Sequence, residues 1–184
     1  MTILSENVRK IKPGTISLLI SDAQDIMTNN LNLLKNFLKK DRVGVYITIN
    51  QPFFSLEKQL EANKIKIDNL FFIDLISSTV SLRSEKTEKC LFINSPSSLT
   101  ELGIAIEQLI TTIEGKEKFL IIDNIAALLI YNSTDVTSKF AHFIINKMRV
   151  NNITGIIMTI EEEETGKGLI DTISSFCDNV IKIK

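Results

Sequence analysis

The run Phe119-Leu120-Ile121-Ile122-Asp123-Asn124 carries four apolar residues in a row and then an aspartate. A strand with one wet face alternates apolar and polar residues, so an unbroken apolar run reads as a strand buried on both faces of a parallel sheet. Working outward, further short apolar runs lie at Thr15–Ile20, Val43–Ile49, Leu70–Ile73, Cys90–Ile93, Thr154–Ile160 and Asn179–Ile183, several of them also without alternation. Amphipathic stretches lie between these runs. Leu31, Leu34, Phe37 and Leu38 make one stripe of a helix running to about Lys40. Ser98 and Glu101 have the spacing of a capping box, with Leu99, Leu102, Ile106, Leu109, Ile110 and Ile113 as the buried face behind it and Gly115 as the stop. A later helix places Val136, Phe140, Phe143, Ile144 and Met148 on its buried face and ends near Asn151-Asn152.

Strand and helix in alternation predict an α/β fold: a doubly wound, mostly parallel twisted sheet flanked by helices, a three-layer sandwich with right-handed crossovers. Pro13, Pro52 and Pro96 fall at element edges, where a missing N–H costs little. There is no internal repeat and no low-complexity linker, so residues 1–184 read as a single domain, with polar Ser77–Lys89 as an exposed loop or short helix.

Composition narrows the function classes. Hydrophobic residues make up 44% and charged residues 23% of the 184, a globular balance. Lys and Arg total 21 against 22 for Asp and Glu, a net charge of −1, so no electrostatic excess draws the chain to nucleic acid. Cys90 and Cys177 sit in apolar surroundings and read as buried structural thiols. The lone His142 has no second ligand near it and reads as a packed or half-exposed helix residue. No signal peptide, membrane-spanning run or basic amphipathic helix stands out, so the expectation is a cytoplasmic protein with no membrane role.

In open parallel sheets, ligands bind beyond the C-terminal ends of the strands. After the first strand comes Ser21–Asn30, SDAQDIMTNN. A phosphate-binding loop there needs glycines, so that backbone N–H groups can curl around the phosphate. It also needs a lysine for the outer phosphates and a Ser or Thr for Mg²⁺. This stretch has neither glycine nor lysine, and Asp22 and Asp25 would repel a triphosphate. Only Thr28 could stand in for the metal-binding hydroxyl. The second strand ends at Asn50-Gln51, where neither side chain can act as a general base. Asp74 ends the third and reads as a cap or loop acceptor. FLIID has the Walker B pattern, whose carboxylate orients Mg²⁺ or its water. With no phosphate loop upstream, a structural role is the preferred reading of Asp123. The acidic run Glu161–Glu164 reads as a solvated loop, with a docking site for a basic partner or a weak hard-cation site as the alternative.

Taken in order, these pieces resemble the KaiC-like and archaeal RecA-superfamily P-loop ATPases. Pro13-Gly14-Thr15 leading into a strand is similar to the family's opening. VGVYITINQP with SLEKQLEANKIKID is similar to its second strand and following helix. LFINSPSSLTELGIAIEQLI and FLIIDNIAALLIYN resemble the stretches before and through Walker B, with Asn124 in the usual Ser position. IIMTIEEEE and FCDNVIKIK are similar to the last core strands. The resemblance covers about residues 8 to 184 and implies a RecA-like core in an ATP-dependent, often ring-forming module of signalling, clock timing, motility or recombination. Residue by residue, Asp123 matches the Walker B aspartate. Thr28, Asn29 and Asn30 cover the place of the Walker A lysine and hydroxyl without the lysine or glycines. Asn50 and Gln51 fall where the catalytic glutamate is expected.

The expectation is therefore a degenerate member, a pseudo-ATPase with no catalytic residues, no cofactor and no metal. Thr28, Asn29, Asn30 and Asp123 would be at most a vestigial nucleotide site. Its partner would be a protein, either a second copy or an active KaiC-like relative, in signalling or motility-type assemblies. One alternative is an atypical ATPase whose composite site joins Asp123 and Thr28 to a partner's lysine. A second is a phospho-receiver built on Asp22 and Asp74, which would lack the lysine such a site uses.

Overall fold

The computed structural model describes residue 8 and residues 11–38, 42–80, 87–115, 117–161 and 167–183. Seven strands form one sheet: β1 (Ile16–Ser21), β2 (Val43–Thr48), β3 (Leu70–Asp74), β4 (Cys90–Phe92), β5 (Lys118–Ile122), β6 (Thr154–Ile160) and β7 (Asn179–Ile183). Their order is β4-β3-β2-β5-β6-β1-β7, and every neighbouring pair is parallel. Among the described residues, the helices that flank them are α1 (Ile26–Phe37), α2 (Phe53–Ala62), α3 (Leu99–Thr112), α4 (Thr134–Val150) and α5 (Lys167–Ser174). Short 3-10 helices follow β3 (Ser77–Val80) and β5 (Ile125–Ile130). No described helix is long and apolar enough to cross a membrane.

The unbroken apolar runs are explained by two cores, one on each face of the sheet. Leu18, Val45, Leu120 and Ile157 pack with residues of α3, α4 and α5, including Ile106 and Ile144. Leu19, Tyr46, Ile121 and Ile156 face the other way, onto Leu33 and Phe37 of α1 and Leu56 of α2. Successive side chains of one strand thus feed opposite layers, and both layers are dry. Gly44 in β2 is required by packing, because a Cβ there would collide with the Phe119 ring.

Four local expectations need correction. Ser98 does sit at the N-cap of α3, but its side chain makes no capping bond, since its ψ of 60° lies outside the extended region that aims a cap side chain at the first turn. Glu101 instead turns back to Asn94, accepting from its Nδ2 at 2.9 Å and its main-chain N at 3.3 Å. Helix α3 ends in extended backbone at Ile113 rather than at a left-handed Gly115. Gly115 serves by its smallness, since a Cβ there would press on Val43 Cγ1 at 2.5 Å. On α4, Phe140, Ile144 and Met148 are buried as expected, but Val136 and Phe143 point outward. The buried arc is centred on Ala141, Ile144 and Met148 and has no room for residues on its far side. Finally, α1 begins at Ile26, so half of Ser21–Asn30 is already helix.

Candidate functional site at the C-terminal edge of the sheet

Strand β1 ends at Ser21 and α1 starts at Ile26, so only Asp22–Asp25 join them. Asp22 and Asp25 are exposed, and Asp25 at the N-cap makes no side-chain cap bond. The inward side of α1 reads Ile26, Asn29, Asn30, Leu33, Leu34, Phe37, a regular helical stripe in which two asparagines hold core positions. Both find partners at strand ends. Asn29 Nδ2 donates to Ser21 Oγ at 2.9 Å, and Asn30 Nδ2 donates to the main-chain carbonyl of Asp123 at 3.1 Å. Thr28, between the two turns, is exposed. Of the four residues singled out at this edge, the fold joins Asn30 to Asp123, places Asn29 on the end of β1 and leaves Thr28 outside.

Asp123 is 2% exposed. Its Oδ1 accepts from Ile49 N at 2.9 Å, and its own N–H donates to Ile47 O at 3.1 Å, which ties the end of β5 to the end of β2. Burial pushes the carboxyl up to about 7, opposed by hydrogen bonds from Ile49, Asn50, Thr48 and Asn124. Among the described residues no cation pairs with it. Around it the amides are incompletely used. Asn124 Nδ2 donates to Asn50 Oδ1 at 3.3 Å, while Asn124 Oδ1 and Asn30 Oδ1 are buried without a protein partner. Gln51 is engaged with Gln59 through Nε2 of Gln59 at 3.1 Å and lies against Met27 Sδ at 3.5 Å. The surroundings of Asp123 are therefore a buried carboxyl among amides.

Asp74 is a loop acceptor, as its position at a strand end suggests. Fully buried, it accepts from Phe53 N (2.6 Å), Ile76 N (2.7 Å), Ser77 N (2.9 Å) and Ser77 Oγ (2.6 Å). It fixes the start of α2 and the turn after β3 together. Cys90 is buried and its thiol is driven well above its ordinary value by burial. Cys177 is half-buried and is pushed up to about 12, also chiefly by burial. Neither is a nucleophile at neutral pH. His142 is exposed, with its ring 4.6 Å from Phe176. Among the described residues no three His, Cys, Asp or Glu side chains gather as a metal would need. Glu162–Glu164 lie outside the described residues, whereas Glu161 pairs with Lys182 Nζ at 2.6 Å.

The asparagine clamp was visible in the sequence only as polar residues inside the period of an apolar stripe. Asn29 and Asn30 stand four residues before Leu33 and Leu34. Extending the stripe backwards by one turn finds them.

A wholly parallel sheet with β1, β5 and β2 ending around one strand-end aspartate is the architecture of a RecA-like domain. The profile of the family described as "ATPase: KaiC" matches residues 30–184, and the chain belongs to that family. Solved structures agree on the fold. A KaiC-like protein, PH0186, from the hyperthermophilic archaeon Pyrococcus horikoshii OT3 superposes with a TM-score of 0.66 at 14% identity, covering 94% of this chain and 72% of that one. PH0321 from Pyrococcus horikoshii, described as an uncharacterized protein in complex with an unknown peptide, gives a TM-score of 0.72 at 14% identity, covering 97% and 81%. PH0250 from the same organism gives 0.64 at 11% identity, covering 100% and 88%. No curated protein sequence matches the chain.

Proposed function

We propose that this KaiC-family domain works through its surfaces and not by turning over ATP, as a pseudo-ATPase that serves as an interaction or regulatory module in signalling or motility-type assemblies. The observation that carries the reading is the Asn30–Asp123 contact, which seats the first turn of α1 against the strand-end aspartate. Three further features support it. Ser21–Asn30 offers no glycine to open a nest of N–H groups and no lysine for phosphate charge. The residues after β2, Asn50 and Gln51, bring no carboxylate to activate water. Asp123 is buried, and its Oδ1 is already taken by the Ile49 N–H. The partner is a protein, a second copy or an active relative; a peptide bound to the similarly folded PH0321 is consistent with that.

Family membership favours one competing reading, an atypical ATPase with a composite site completed by a partner's lysine. Steady-state ATP hydrolysis by the full chain, set beside Asp123→Ala, separates the two. The proposal expects equal background rates from both proteins. Turnover that depends on Asp123 would establish the composite site in its place.

A further inference from the structure

We draw no further inference here: the strongest candidate, the groove of about 400 Å³ between α3 and α4 bordered by Ile104, Val136 and Phe143, is an unpartnered apolar face, and nothing in the structure shows what covers it.

Discussion

The side-chain amide of Asn30 donates to the main-chain carbonyl of Asp123 at 3.1 Å, with both residues at 2% exposure. One contact thus links the first helix after β1 to the strand-end aspartate 93 residues further along. Removing it should be costly, because a buried carbonyl loses its donor. Asn30→Ala is expected to lower unfolding stability by about 1–3 kcal/mol in urea titrations, and Asn29→Ala, which frees Ser21 Oγ, by a comparable amount. Changes below about half a kcal/mol would mean that the clamp does not hold α1 in place.

Asp123 gives the fold a pH dependence of definite sign. Its carboxyl lies at about 7 in the folded chain, raised chiefly by burial, against about 3.9 for an aspartate in an unfolded one. The folded state therefore holds the proton more firmly. The stabilisation this brings is complete below about pH 4 and is lost as pH rises to about 7. Asp123→Asn keeps an oxygen for Ile49 N and cannot ionise. Melting temperatures across this window should show wild type losing ground to the variant from pH 4 to 7, with a constant gap above. Parallel curves would assign the titration to other groups.

Asp74 makes a sharper structural prediction. Its carboxylate accepts four hydrogen bonds that anchor α2 and the turn after β3. Asp74→Ala strands several buried donors at once and should cost about 3–5 kcal/mol. Asp74→Asn retains one acceptor oxygen and should cost less than the alanine variant. Chemical denaturation of the two variants reads the difference directly. Asp74 labelled by acetyl phosphate in the native protein would revive a phospho-receiver and contradict this role.

The fold was legible because its signal is redundant. Seven apolar runs each located a strand to within one residue at either end, and the lack of alternation in several of them announced a sheet covered on both faces. The outward turn of Val136 and Phe143 was not legible. On a helix, apolar residues mark a face without saying whether that face meets the core or a partner. The site divided in the same way. The absence of glycine and lysine from Ser21–Asn30 is a fact of the sequence, and so is the aspartate after β5. The clamp between them was hidden, since asparagine reads as a turn former until its neighbours' periodicity is extended through it. Ser98 and Glu101 failed for a related reason: spacing permits a capping box, but Asn94 offered Glu101 a better partner.

The central claim, that surfaces and not nucleotide chemistry carry the function, meets its most direct test in isothermal titration of the full chain with ATP and Mg²⁺. The account predicts no saturable heat at micromolar to submillimolar nucleotide, with or without the metal. Binding that is micromolar or tighter and requires Mg²⁺ would contradict it, and would mean that α1 can leave its seat on Asp123.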